Sequence, residues 1–150
     1  MIRYILRPAL ETDAAAIKHL IRSVGINPMD LDWRRFVVAV DEQGQVIATG
    51  QIKPHQKGAI LELASIAVVE EHRGEGLARA IIEYLLKDSP RPLYLTCRSK
   101  LEPFYQRFGF QAISYEQMPG FYRRLRRLAN VFITITRQDK ADGLSVMKLQ

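Results

Sequence analysis

Ile66-Ala67-Val68-Val69-Glu70-Glu71-His72-Arg73-Gly74-Glu75-Gly76-Leu77-Ala78 is the stretch on which the reading of this chain turns. An apolar run of strand character ends in charged residues. An arginine and two glycines then open a pattern in which Leu77, Ala80, Ile81, Tyr84 and Leu85 recur at helical spacing. The first amides of a helix have no intrahelical partner and carry the positive end of the helix dipole. Glycines at 74 and 76 let a ligand approach the backbone closely, and Arg73 adds a full positive charge. Such a loop is a cradle for a pyrophosphate. It is not a P-loop, because no Lys-Ser or Lys-Thr pair follows the glycines. Nor is it a dinucleotide fingerprint, because Arg79 holds the third glycine position and four charged or polar residues separate strand from turn.

Outward from this loop the pattern alternates strand and helix. Upstream, Ile2–Arg7 is predicted as a strand stopped by Pro8, and Asp13 as the N-cap of a helix with Ile17, Leu20, Ile21 and Val24 on one face. Gly25–Asp32 reads as a loop with an Asn27-Pro28 turn signal. Phe36–Val40 and Val46–Ile52 read as strands of a hairpin around Asp41-Glu42-Gln43-Gly44-Gln45, and Ile60–Val69 as a long strand. Downstream come a helix Leu77–Lys87, a strand Leu93–Cys97, a helix Glu102–Phe108 and a strand Phe110–Tyr115. Phe121, Leu125 and Leu128 suggest an arginine-rich helix. Val131–Thr136 suits a strand or that helix's buried end, Asp142-Gly143 is a turn, and Leu144–Leu149 a final strand. Early antiparallel strands followed by a strand-helix-strand unit imply an α/β chain with a mixed sheet.

Two motifs carry a family resemblance. Arg73-Gly74-Glu75-Gly76-Leu77-Ala78 resembles the Arg/Gln-x-x-Gly-x-Gly/Ala signature of the GCN5-related N-acetyltransferases, the GNAT family. Pro103-Phe104-Tyr105-Gln106-Arg107-Phe108-Gly109-Phe110 resembles that family's later helix ending Phe-Tyr-x-x-x-Gly-Phe, and Leu6-Arg7-Pro8-Ala9 before Asp13 its usual opening. The resemblance runs from about Ile2 to Tyr115. It implies one N-acetyltransferase domain over residues 1–150: an α/β fold with a mixed, mostly antiparallel sheet flanked by helices, the acyl-CoA N-acyltransferase fold. The implied activity is direct transfer of the acetyl group of acetyl-CoA to a primary amine of a small molecule, an amino acid among them, or of a peptide.

The resemblance also assigns residues. The pyrophosphate of acetyl-CoA would lie on Arg73, Gly74, Glu75, Gly76, Leu77 and Ala78. The pantetheine arm and acetyl carbonyl would meet the backbone of Ile66, Ala67 and Val68, and Phe104 would complete the cofactor contacts. Tyr105 matches the tyrosine that commonly protonates the departing thiolate, and an ordinary phenol, with a pKa near ~10, keeps its proton at neutral pH. For the base, Glu62 is one carboxylate in an otherwise apolar strand, where burial would raise its pKa toward the working range. His55 is a second candidate. Gly25–Trp33 and Gln117–Arg127 would build the acceptor pocket, with Trp33 lining it. Thr96-Cys97-Arg98 is similar to a Thr-Thr-Arg run of N-acetylglutamate synthase domains, which would set Arg98 to clamp a substrate carboxylate.

Composition bounds the alternatives. The chain is 150 residues long, 47% hydrophobic and 25% charged, which suits a globular domain with a real core. No apolar run approaches a membrane span, Met1-Ile2-Arg3-Tyr4 leads straight into a strand with no signal peptide visible, and Cys97 is the single cysteine; a reducing cytoplasm fits. At the end of an apolar strand, Cys97 reads as a buried, inert thiol. Three scattered histidines give no metal-ligand spacing, so no metal is expected. The net charge of +6, much of it in Arg91–Arg107 and in Arg123, Arg124, Arg126 and Arg127, invites a nucleic-acid or ribosome-docking reading, but no nucleic-acid-binding signature accompanies it. A non-catalytic acyl-CoA-binding module is the other alternative. Leu144–Leu149, read as an edge strand, could pair across a homodimer.

Overall fold

The structure, a computed structural model, describes residues 2–136 and 143–150, with the backbone alone for 129–136. The chain forms two compact units, Met1–Pro90 and Arg91–Gln150.

In the first unit, β1 (Tyr4–Pro8), β2 (Phe36–Asp41), β3 (Val46–His55) and β4 (Ile60–Val68) lie side by side in chain order, and every neighbouring pair is antiparallel. The helices α1 (Ala14–Ser23) and α2 (Leu77–Asp88) cover opposite faces of these strands. The strand β2 explains the arrangement: its sequence Phe-Val-Val-Ala-Val is apolar at every position because both of its faces are buried. Phe36, Val38 and Val40 pack with Ile17, Leu20 and Ile21 of α1, whereas Val37 and Ala39 pack with Leu77 and Ile81 of α2. Each fully buried Leu or Ile in these layers contributes on the order of 1.5–3 kcal/mol. The hairpin between β2 and β3 is closed as predicted, with Asp41 accepting from the backbone N–H of Gln43 and Gln45.

One expectation is corrected here. Asp13 does not cap α1 through its side chain, because a 3-10 turn at Glu11–Asp13 runs directly into the helix. Its carboxylate turns back instead, accepting from the Leu10 N–H at 2.7 Å and from both Arg7 guanidinium nitrogens at 2.6 and 3.1 Å. The Arg7 hydrogen bonds hold the Asp13 carboxyl below the usual carboxylate range, against the opposing effect of burial.

The strands β3 and β4 do not match residue for residue. Thr49 pairs with Ala67 and Gln51 with Ala64, so Gly50 alone faces both Ser65 and Ile66. This is a β-bulge, and Ser65 sits in it at φ 58°, a left-handed conformation that costs a non-glycine residue about 1–3 kcal/mol. Two side chains of β3 hold it there: Thr49 Oγ1 donates to the Ser65 carbonyl at 3.0 Å, and Gln51 Nε2 donates to Ser65 Oγ at 2.8 Å. Gln51 is fully buried, and its Oε1 has no partner among the described residues.

In the second unit, β7 (Leu144–Leu149) lies between β5 (Leu93–Arg98) and the two-residue β6 (Gln111–Ala112), antiparallel to both. Two helices belong to it: α3 (Glu102–Gln106) and α4 (Gly120–Thr136). Residues 131–136 are therefore helical; Asp142 of the expected turn lies outside the described residues. Three further expectations are corrected. Leu144–Leu149 is not a bare edge, since Met147 and Lys148 pair with Ala112 and Gln111 on one side and with Leu95 and Tyr94 on the other. The predicted strand Phe110–Tyr115 shrinks to two residues because Ser114 opens a new turn, its N–H bonded to Gln117 Oε1 at 2.9 Å. The helix of Tyr105 likewise stops at Gln106, ahead of Gly109 at φ 95°. Tyr122 of α4 is buried against Tyr94, with ring centroids 5.4 Å apart. Cys97 is buried as expected, its Sγ 3.9 Å from Met147 Sδ.

Gly50 is the tightest point of the first unit. A Cβ there would stand 2.5 Å from Ile81 Cγ2, 2.8 Å from Ile66 Cδ1 and 3.0 Å from Leu85 Cδ1. Gly50→Ala should therefore destabilise the protein by about 1–3 kcal/mol, as overpacking of a filled core does. Urea unfolding checks this; a parent-like midpoint would mean that α2 can shift outward without cost.

Candidate active site

After the bulge, Ile66, Ala67 and Val68 form the last three residues of β4, with Ala67 buried on the α1 side and Ile66 and Val68 packed against the α2 side. The chain then makes a 3-10 turn at Glu70–His72 and reaches Arg73. Gly74 and Gly76 both have left-handed backbones, at φ 82° and 83°, which only glycine adopts without strain. A Cβ at either position would meet nothing within 4 Å, so both open onto free space. Gly76 is the N-cap of α2 and offers no side chain to the first helical amides, while Leu77 anchors the helix start in the core. Glu75 is held by His72, Nδ1 to Oε2 at 3.1 Å, and Arg79 by Glu83 at 2.8 Å. Arg73 is exposed and makes no hydrogen bond or ion pair among the described residues. Uncapped amides, open space over two glycines and an unengaged guanidinium are the donor set a pyrophosphate needs.

Glu62 and His55, predicted separately as bases, form a pair. His55 Nε2 lies 3.4 Å from Glu62 Oε1, and their side chains are 17% and 13% exposed. Directly across from Glu62 stands Lys53, 9% exposed, whose Nζ donates to the Met29 carbonyl at 3.0 Å. Lys53 thus ties the Gly25–Asp32 loop to the strand face that carries Glu62. The sequence reading missed Lys53 and the Thr49–Gln51 clamp. The signal was present: Thr49, Gln51, Lys53 and His55 put a polar side chain at every second position of β3, and so on one face. Trp33 packs against the α1-side core from a 3-10 turn, with the Arg34 guanidinium 4.9 Å over its ring.

In the second unit Phe104 and Tyr105 belong to one aromatic cluster. The Phe104 ring lies edge-on to Tyr105 at 5.0 Å and to Phe108 at 5.5 Å, and Phe110 stands 6.3 Å from Tyr105. Burial, and after it the neighbouring Cys97 sulfur, push the Tyr105 phenol up to about 12. It keeps its proton throughout the neutral range. Arg98 ends β5 as an exposed residue opposite Leu144. Two of the α4 arginines are committed locally. Arg123 donates to the Tyr115 and Glu116 carbonyls at 3.1 and 2.7 Å, and Arg127 to the Tyr115 hydroxyl at 2.8 Å. Among the described residues no group of three His, Cys, Asp or Glu could hold a metal ion, and no helix is long and apolar enough to cross a membrane.

Comparison with known proteins gives the family and the fold. The family model for the acetyltransferase (GNAT) domain matches residues 32–112, which include β2 to β6, the glycine loop, Glu62 and Tyr105. An uncharacterized N-acetyltransferase of Escherichia coli, YhbS, is 32% identical over 120 residues, covering 76% of this chain and 68% of the relative. Among solved structures, the N-acetylglutamate synthase of Neisseria gonorrhoeae, complexed with coenzyme A and L-arginine, superposes with a TM-score of 0.71 at 16% identity. The match covers all of this chain but only 34% of that one. Rv2747 of Mycobacterium tuberculosis, in complex with CoA, gives 0.69 at 22% identity over 97% and 98% of the two chains. The fold is that of the acyl-CoA N-acyltransferases, α/β with mostly antiparallel strands flanked by helices. With a family model over more than half its length and a curated relative above 30% identity, the chain belongs to the GNAT family of N-acetyltransferases.

Proposed function

We propose that this protein transfers the acetyl group of acetyl-CoA directly to a primary amine. The observation that carries the reading is the Arg73–Ala78 loop, in which two left-handed glycines open onto free space at the uncapped start of α2. The cosubstrate's pyrophosphate would accept hydrogen bonds from the loop amides and from Arg73, with Ile66–Val68 pairing with its pantetheine arm and Phe104 completing the contacts. Acetyl-CoA supplies the activated thioester; the protein's part is to bind, to orient and to move protons. Glu62, seated against His55, takes a proton from the acceptor ammonium, leaving a lone pair on nitrogen to form the new C–N bond as the C–S bond breaks. Tyr105 gives its phenolic hydrogen bond, and then its proton, to the departing sulfur. A phenol at about 12 is a weaker acid than a thiol of ~8.5. Full transfer therefore requires a sulfur as desolvated as the phenol, and short of that the hydrogen bond still stabilises the thiolate. The acceptor is an amine on a small molecule, amino acids included, or on a peptide. Arg98, at the end of β5, is the cation we assign to clamp a carboxylate on it.

Three experiments test the reading. Gly76→Asn keeps a residue that tolerates positive φ but fills the open space above the loop; it should leave unfolding nearly unchanged and weaken acetyl-CoA binding at least tenfold by calorimetry. Unchanged affinity would remove the loop from the cosubstrate site. Glu62→Gln should lower turnover and delete one ionisation from the rising, alkaline-going limb of the pH profile. If the limb survives, another group is the base. Tyr105→Phe keeps the ring in its aromatic cluster and removes its only transferable proton, so single-turnover rates should fall ~10²–10⁴-fold while cosubstrate affinity stays. An unaltered rate would leave Tyr105 with packing alone.

A further inference from the structure

A cavity of about 360 Å³ lies in the second unit beside the short strand β6, where Ser99, Glu102, Ser114, Tyr115, Arg126 and Ser145 contribute to its wall. Of these, Arg126 alone falls within a stretch expected to serve acetyl transfer, the Gln117–Arg127 wall of the acceptor pocket. The walls are polar, and their internal bonds are organised. Ser145, 7% exposed, donates to Glu102 Oε1; Ser99 donates to the Gly143 carbonyl at 2.9 Å and stands 3.0 Å from Ser145 Oγ. One oxygen of Glu102 is thereby fixed and the other is left for a ligand. On the same cavity sits Arg126. Its neighbours Arg123 and Arg127 are spent on the Tyr115–Glu116 turn, whereas Arg126 makes no hydrogen bond or ion pair among the described residues. A carboxylate and a guanidinium thus share one cavity without pairing with each other, since no contact within 4 Å joins them.

That arrangement selects by charge. A simple anion would meet Arg126 but be repelled by Glu102, a simple cation would suffer the reverse, and a neutral molecule would leave both charges unmatched. A zwitterion satisfies both at once. The volume lies at the small end of the range of ligand pockets, ~300–1,000 Å³, which suits a molecule the size of an amino acid. We propose that this cavity is a binding site for a free α-amino acid, with its ammonium on Glu102 and its carboxylate on Arg126. The serine hydroxyls of 99 and 145, whose protons go to their own partners, have lone pairs left for the ammonium. The site does not depend on the acetyl-transfer reading and is tested without turnover.

The experiment is calorimetric titration of the intact protein with each of the twenty L-amino acids in the absence of acetyl-CoA. At least one should bind with a millimolar or tighter dissociation constant. Its α-carboxamide and its N-acetyl derivative, each lacking one of the two charges, should bind at least tenfold more weakly, as expected for losing a charge-assisted hydrogen bond. Arg126→Gln and Glu102→Gln should weaken the parent amino acid to the same degree. Glu102→Gln retains an oxygen to accept from Ser145, and both variants should unfold at the parent's temperature. No binding by any of the twenty would overturn the proposal, as would equal binding by the two variants or by the two singly charged derivatives. If only the Glu102 variant also loses stability, Arg126→Gln with the carboxamide series decides by itself. Loss of this binding would leave acetyl-CoA affinity in place, so the two readings fail separately.

Discussion

A mismatch of one residue between two strands governs the first unit. Because Gly50 faces both Ser65 and Ile66, β4 takes up an extra residue exactly ahead of the segment Ile66–Val68, and its last turn toward the glycine loop is re-aimed. The bulge is held from one side by hydrogen bonds and from the other by packing. Thr49 and Gln51 fix Ser65 in a conformation it would not otherwise keep, and Ile81 and Leu85 of α2 press onto Gly50 from the opposite face. Among the described residues the buried Gln51 Oε1 has no partner, so the clamp is kept in spite of a desolvation cost of about 1–3 kcal/mol. Helix, bulge and loop form one mechanical unit: the helix whose start adjoins the open space over Gly74 and Gly76 is the helix that fills the gap over Gly50.

The same economy runs through the charges. The net charge of +6 is not a single basic surface. Arg7 is spent on Asp13, Arg79 on Glu83, and Arg123 and Arg127 on the backbone and hydroxyl of the Tyr115 turn. Against that background Arg73 and Arg126 stand out, because neither makes a hydrogen bond or ion pair among the described residues. Local commitment of neighbouring arginines is what turns a charge run into a position.

Proton chemistry is divided by environment as well. Tyr105 is surrounded by Phe104, Phe110 and the Cys97 sulfur, so it holds its proton far above neutrality. Glu62 stands beside an imidazole and opposite an ammonium, across from β3, which carries Thr49, Gln51, Lys53 and His55 at every second position. A group that keeps its proton and a carboxylate able to take one are what amine acylation asks of a protein.

The sequence by itself determined the family and much of the fold. Two glycines and an arginine before a helical pattern, with Phe-Tyr and Gly-Phe further on, are local signals, and hydrophobic period placed β2, β3, α1 and α2 to within a few residues. What it left undecided depends on neighbours distant in the chain. The bulge at Ser65 exists only because β3 supplies Thr49, Gly50 and Gln51 opposite it. The pairing of Glu62 with His55 and the reach of Lys53 to Met29 depend on strand register, which no window of sequence contains. An aspartate before a helix suits a cap by sequence alone; in the folded chain the Asp13 carboxylate accepts from Arg7 and Leu10 instead. Likewise β6 is short because the Ser114 N–H is bonded to Gln117 Oε1, and β7 is flanked because Lys148 and Met147 pair with Gln111 and Ala112. Periodicity is a property of neighbours along the chain, and register a property of neighbours in space; the chemistry of this protein depends on the second.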